Sequence, residues 1–388
     1  MLGRTSRRTL MARWARLTRH EYWPTPVFYA PLIPILVGLA ARHRSLMAFT
    51  CVNPGFGPGG GAVGESKHHI MECFAGGGAA ILGTTLVPSG PPPDQRARVA
   101  LEAARARGIA FPFILKPDSA QRGHAVRLAR RDADVAAYFR SMLAPAVVQP
   151  YHPGPHECGV FWMRHPSRTA DTPGGSGTGP SGFIFSINRK EFPLLNPDGA
   201  RTLRELILDH PRHRNQHRVF FARFSDRLDE VPPMGAPIRL AEAGNHCQGT
   251  LFRDGADLIT PALTRALSRL ADAFAPPAGH GRAASGAPEP FAFDFGRFDI
   301  RYESDAALRR GSGFAVVEVN GSLSESTNLY DPTFSIRRSY GILFEQWRRG
   351  YELGAVRRAQ GVRPMGLLEL ARAARREARR RSGPSISD

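Results

Sequence analysis

The sequence predicts an α/β (α+β) protein, and three observations predict it. Apolar runs of strand length close on a polar or charged residue, as at 111–116 and at 182–187, the second continuing to Lys190. Amphipathic helical patterns stand between such runs, at 132–143, 203–209 and 261–274. Late in the chain, 291–301 and 314–320 read as adjacent strands joined by a long hairpin loop.

Taken in order, residues 1–20 are a basic arm with six arginines and no acid. Residues 21–93 read as a small preceding α/β domain. Within it, 45–52 (SLMAFTCV) reads as a strand, 53–64 as a Gly/Pro loop and 65–74 as a short helix. The uncharged stretch 27–41 contains Pro31 and Pro34 and runs into Arg42-His43-Arg44. It is too short for a membrane span, which needs about 20 apolar residues, and charges stand where a signal peptide needs its cleavage site. It reads as a buried element. A shallow peripheral membrane contact, made with the basic ends of the chain, is the alternative.

Pro88-Ser89-Gly90-Pro91-Pro92-Pro93 reads as a linker. Residues 94–335 form the main body, in two parts at 94–187 and 188–335. In the first part Asp94 caps a helix ending near Gly108. Strands follow at 111–116, 125–128, 146–149, 161–163 and 182–187, with a polar loop at 121–124 and a helix at 132–143. Gly/Ser/Pro-rich stretches at 168–181 and 275–290 read as surface insertions. Residues 336–388 form a basic helical region, with nine arginines at 356–381 against Glu369 and Glu377.

The net charge of +18 is concentrated at those two ends, so the body is mildly basic. No zinc-finger, RNP-like or heptad pattern accompanies the basic ends, which argues against specific nucleic-acid reading. The four cysteines form no CxxC pair, so neither a zinc site nor a disulfide framework is expected, and a reducing cytoplasm fits. The sequence carries no sign of oligomeric state.

Arginine outnumbers lysine 49 to 3. Lys67, Lys116 and Lys190 are therefore candidates for work a guanidinium cannot do, and a compact ammonium suits a crowded phosphate cradle. Glu318 and Asn320 are two apart in one strand and share a face. Asp299, on the preceding strand, can share it. Two carboxylates and an amide oxygen suit magnesium, with manganese as the alternative ion, and phosphate oxygens complete the shell. The alternative is an ordinary charged hairpin face.

In that order the motifs resemble the ATP-grasp ligases over about 111–320, in the texture of D-alanine–D-alanine ligase, cyanophycin synthetase and the ribosomal-protein glutamate ligase. The resemblance implies two subdomains clasping ATP. It implies that Lys116 and Lys190 touch the phosphates and that Gln121-Arg122-Gly123-His124 closes over them. Gln149-Pro150-Tyr151 is similar to the hinge that reads adenine, and Glu157 to the acid that holds the ribose. Asp299, Glu318 and Asn320 match the metal ligands, and Arg297 sits beside the reacting carboxyl. The gap from Asp299 to Glu318 exceeds the family's, and the Pro-Gly that often follows ExN is replaced by Gly321-Ser322-Leu323-Ser324-Glu325-Ser326.

Two segments stand beside this set. His246, in a polar turn at 244–249, is a candidate to bind a carboxylate or move a proton, the alternative being a structural histidine. The loop from Asn53 to Lys67 is no Walker motif, because Glu65-Ser66 separate Gly64 from Lys67. It reads as a contact to substrate or acyl phosphate, or else as a tight strand-to-helix turn. The resulting expectation is an ATP-dependent ligase joining a small-molecule carboxylate to an amine (or thiol) through an acyl phosphate. A small-molecule kinase and a non-catalytic ATP-binding module are the alternatives.

Overall fold

The computed structural model describes residues 11, 14–15, 17–119, 125–168, 179–241, 244, 249–277 and 291–380. The loop expected at 121–124, most of the two insertions (169–178 and 278–290) and His246 with its neighbours 245–248 lie outside them. The fold is α+β, with helices packed on antiparallel sheets.

The N-terminal segment carries helices α1 (Thr25–Tyr29), α2 (Leu32–Arg42) and α3 (Lys67–Cys73), then strand β1 (Thr85–Val87). Helix α4 (Pro93–Ala106) leads to β2 (Phe113–Pro117), β3 (Arg127–Ala129), α5 (Asp132–Ser141) and β4 (Ala146–Pro150). These strands form a four-stranded sheet in the order β1-β4-β2-β3. Alternate residues of its strands, among them Val87, Phe113, Leu115 and Val148, bury against Ala97, Ala100, Val135 and Phe139 of α4 and α5. Asp94 lies in the first turn of α4, and Pro92 takes the cap position without a side-chain bond. Proline at the first helical position needs no N–H there.

Long strands β5 (His156–Arg164) and β6 (Gly182–Glu191) come next, then the short β7 (Leu194–Leu195), helices α6 (Leu203–Asp209) and α7 (His217–Arg223), and β8 (Ile238–Arg239). Strand β9 (Leu251–Asp254), helix α8 (Pro261–Asp272), β10 (Phe295–Tyr302), the short α9 (Asp305–Arg309) and β11 (Phe314–Asn320) complete the body. The five-stranded sheet runs β11-β10-β5-β6-β9, antiparallel throughout. One face is apolar: Val160, Trp162, Ile187, Phe298 and Ile300 pack on Ile70, Met71, Leu263 and Leu267. The other face is apolar only at one end, where Phe161, Met163 and Phe295 gather beneath Leu353 of α10 (Ile336–Ala359). Its other end is polar. Helix α11 (Leu367–Arg380) closes the described chain.

A β-bulge lies where Asp299 pairs with Glu318 but Ile300 pairs with Val316. Val317 is the extra residue, and its carbonyl leaves the ladder. It accepts instead from Lys116 Nζ (3.0 Å) and Gln149 Nε2 (3.1 Å), both on the four-stranded sheet. Gln149 Nε2 also donates to Leu82 O at 2.8 Å. The two sheets are thus pinned to one another at one peptide group.

Several expected elements differ. Residues 45–52 are not a strand: Ala48–Cys51 form a 3-10 turn. Residues 47–52 are buried, but they pack on α10, where a Cβ added at Gly354 would strike Ala48 O. An apolar run of eight residues has no period to tell a buried turn from a buried strand. The stretch 27–41 is two helices, and only Phe28, Leu32 and Leu39 are buried, whereas Ile33 is 61% and Val37 60% exposed. The hairpin loop after β10 holds α9, capped by Ser304, whose hydroxyl accepts from the Ala307 N–H.

Candidate active site

The polar end of the five-stranded sheet gathers the charged residues, and strand register explains how. Asp299 on β10 lies opposite Gly159 on β5 and Glu318 on β11, and Arg297 lies opposite Asn320. Arg301 lies opposite Glu157, and on β6 Asn188 lies opposite Gly159. Alternation then puts Glu157, Asn188, Lys190, Arg297, Asp299, Glu318 and Asn320 on one face.

Contacts follow this placement. Lys190 Nζ donates to Glu157 Oε1 at 2.7 Å and lies 3.3 Å from Asp299 Oδ1. Arg297 Nε donates to Asp299 Oδ1 at 3.1 Å, and its Nη1 to Glu325 O at 2.9 Å. Asn320 Nδ2 donates to Asp299 Oδ2 at 3.2 Å. The Glu157 carboxylate is held between Lys190 and Arg301, whose Nε is 3.5 Å from Oε2. Lys116, on β2, donates to Gln149 Oε1 at 2.9 Å as well as to Val317 O. The Gln149 side chain is therefore engaged within the protein, and Tyr151, just beyond β4, stacks under the Arg301 guanidinium at 5.4 Å.

Lys67 joins the set from the N-terminal segment. Its Nζ lies 3.2 Å from Glu318 Oε1. Asp118, two residues beyond Lys116, fixes it there. The Asp118 carbonyl accepts from the Lys67 N–H at 3.0 Å, and its carboxylate accepts from Ser66 Oγ and the His68 N–H. The glycines ahead of Lys67 serve close packing: Gly60 has φ +66°, and a Cβ there would strike Val52 O. Ser322, just past β11, closes on the same loop, donating from N to Gly60 O and from Oγ to Gly59 O. Lys67 and Lys190 thus pair with Glu318 and Asp299, and Lys116 is held at the Val317 carbonyl beside Glu318.

The electrostatics are those of compensated buried charge. Burial pulls the Lys116 ammonium down to about 8, with Glu318 opposing the fall and Lys67 adding to it. Burial acts the same way on Lys67 and Lys190, but Glu318 overcomes it for the first and Asp299 with Glu157 for the second, so both end above the ordinary lysine value. Burial pushes the Asp299 and Glu318 carboxyls up, yet both end low, Asp299 through Arg297 and Lys190, Glu318 through Lys67 and Lys116. The sign for stability follows from Lys116. Between about pH 8 and the unfolded value of 10.5 the unfolded chain binds the extra proton, so this group adds stability as pH rises across that window.

Two residues missed in the sequence belong here. Asn188 is 2% exposed, and its Nδ2 is a buried donor without a hydrogen-bond partner among the described residues. Its position two before Lys190 on a strand is the signal that finds it. Gly159 is the other. A Cβ there would press on Asn188 Oδ1 and come within 2.8 Å of Arg297 Cδ and 3.3 Å of Asp299 Oδ1. Gly159→Ala is expected to lose most activity with a thermal midpoint within a few degrees of the parent, checked by turnover and melting side by side. Gly244, ahead of the undescribed His246, also touches the site: a Cβ on it would be 2.7 Å from Lys190 Cδ.

The donor set fits magnesium. Asn320 turns its amide nitrogen to Asp299, which leaves its oxygen for a cation, and the two carboxylates face one another across the ladder. Among the described residues no three His, Cys, Asp or Glu side chains group closely enough to hold a metal ion by themselves. A cation held by Asp299, Glu318 and Asn320 would need further oxygens, such as those of a phosphate, to complete its shell.

No protein-family profile and no protein of curated function matches the chain. Solved structures similar to it include the D-alanine–D-alanine ligase of Bacillus anthracis (11% identity, 76% of this chain and 69% of that one, TM-score 0.40). The ATP-grasp ligase PsnB is similar at 11% identity over 72% of this chain and 60% of that one, TM-score 0.33. The bifunctional glutathione synthetase of Pasteurella multocida is similar at 13% identity and TM-score 0.35 over 72% of this chain, which spans 36% of that enzyme's length. At such identities and scores the likeness carries no argument about activity, and that argument rests on the side chains above.

Proposed function

We propose that this protein is an ATP-grasp-type, ATP-dependent ligase that activates a small-molecule carboxylate as an acyl phosphate and transfers the acyl group to an amine. One observation carries the reading: Lys67, Lys190 and Arg297 pair with the Asp299 and Glu318 carboxylates beside Asn320, and Lys116 is bound to the Val317 carbonyl next to Glu318. Lys116 and Lys190 bind the phosphate oxygens of ATP, and Lys67 adds a third ammonium from the other side of Glu318. Asp299, Glu318 and Asn320 hold magnesium, which when bound neutralises charge on the transferring phosphoryl group. Arg297 orients the substrate carboxylate toward the γ-phosphate and stabilises the anion that forms on attack. The unpartnered Asn188 Nδ2 donates to an oxygen of the bound substrate. The protein supplies positioning and fixed charge and forms no covalent intermediate of its own.

Hydroxylamine trapping tests this. Incubation with ATP, magnesium and pools of small acids is expected to give ADP together with a hydroxamate. ADP with a phosphate ester and no hydroxamate identifies a kinase instead, and ATP binding without ADP under every mixture identifies a binding module. Lys116 sets a pH signature: ATP affinity is expected to weaken as pH rises through about 8, because the uncharged amine no longer meets phosphate. Calorimetric titrations on either side of that pH check it.

A further inference from the structure

We infer that the outer face of helix α2 is a docking surface for an anionic lipid membrane. The inference stands apart from the ligase reading.

Helix α2 is apolar on both sides. Leu32 and Leu39 face inward, and Ile35 and Leu36 pack with Met47, Phe49, Trp347 and Tyr351. The opposite stripe, at helical spacing, is Ile33, Pro34, Val37, Gly38 and Ala41, all exposed. Val27 of α1 is 54% exposed and Leu46, after the helix, 48%. A helix that is apolar all round belongs in a core or against hydrocarbon. Eleven residues span about 16 Å, which suits lying in an interface rather than crossing it. No helix among the described residues is long and apolar enough to cross a membrane.

The charges around the stripe select the partner. Glu21 is the only acid in the first 64 residues, and it is buried and paired with Arg212 at 2.9 Å. Exposed Arg42 and Arg44 stand at the end of α2, and Arg358 donates to the His43 and Arg44 carbonyls. The nearby acids Glu345 and Glu352 of α10 are bound by Arg348, and Glu345 also by Arg349. Leu370 packs beside Leu39 and Met47, which brings arginine-rich α11, with exposed Leu367 and Leu368, to the same end. An apolar stripe rimmed by arginines complements acyl chains below anionic headgroups. It disfavours a second copy of this strongly basic chain.

The test is co-sedimentation of the full chain with vesicles of phosphatidylcholine alone and of phosphatidylcholine with roughly a third phosphatidylglycerol. Binding to the mixed vesicles only is expected. Ile33→Asp/Val37→Asp is expected to weaken it roughly tenfold or more, and Val37→Lys to weaken it despite the added positive charge. Both sites are solvent-facing, so the thermal midpoint and any ATP-dependent activity should stay unchanged. Three results overturn the inference. One is no sedimentation with either vesicle. Another is sedimentation that salt abolishes and the double variant leaves intact, which marks contact by the basic ends alone. The third is a dimer by light scattering that Ile33→Asp/Val37→Asp dissolves.

Discussion

On the proposed reading, Glu318→Gln is expected to lower ADP formation by about a thousandfold or more, because a neutral amide would hold magnesium far more weakly and leave the phosphoryl charge uncompensated. The substitution keeps the shape of the side chain and removes its charge, so lost packing does not explain the effect. Two lysines depend on that charge. Lys67 Nζ lies 3.2 Å from Oε1, and Glu318 holds the carboxylate that counters burial of Lys116. The variant also leaves Lys67, with a side chain 12% exposed, beside a neutral amide. Some loss of stability follows, because Glu318 is the largest charge offsetting the burial of this ammonium and an amide replaces it. Lys67→Gln/Glu318→Gln separates the two effects: it should regain most of the stability and none of the activity. Full turnover by Glu318→Gln, or activity restored by the double variant, refutes the site. Lys116→Ala is expected to match Glu318→Gln in activity, with denaturant titration confirming that it folds.

Asp294→Ala is expected to destabilise the fold by about 3–5 kcal/mol, the usual cost of stripping the partner from a buried charge. Asp294 is fully buried, just before β10. It accepts from Arg357 Nε (2.8 Å) and Nη2 (2.7 Å), from Arg164 Nε (3.0 Å) and from the Asn53 N–H (3.3 Å). Both guanidinium side chains are about nine-tenths buried. Asn53 returns the bond, its Oδ1 accepting from the Asp294 and Phe295 N–H groups. One carboxylate therefore ties the N-terminal loop, β5, β10 and α10 together. Asp272→Ala is the control. Asp272 also binds Arg164, at 2.8 Å, but is half exposed, and its loss should cost under about 1 kcal/mol. Urea unfolding of the three proteins measures the difference, and equal midpoints for Asp294→Ala and the parent sink the argument.

Three strands that carry the site were legible because each apolar run meets a charged residue, whereas β5, read only at 161–163, begins at His156 and includes Glu157 and Gly159. β2, β6 and β11 are bounded by the composition of their own residues, and α6 by its Thr202/Glu205 capping box. The face shared by Glu318 and Asn320 followed from a period of two. What the sequence hid depends on tertiary contact. Lys67 reaches Glu318 only because Asp118, distant in the chain, accepts from the residues around it. Glu157 carries no mark of its bonds to Lys190 and Arg301, because strand register brings them together. The turn at 48–51 was misread because its burial comes from a glycine on α10. Helix α2 was misread because apolar content does not say which side of a helix meets the core.

The Val317 peptide oxygen limits what Lys116 has left to offer a ligand. Lys116 has three protons, and two of them already serve Gln149 and this oxygen. The remaining proton can reach a phosphate while the latch stays shut. A second phosphate contact has to take a proton from the latch. Under the proposed function, phosphate binding by Lys116 and the bond that joins the two sheets would therefore draw on the same three hydrogens of one amine.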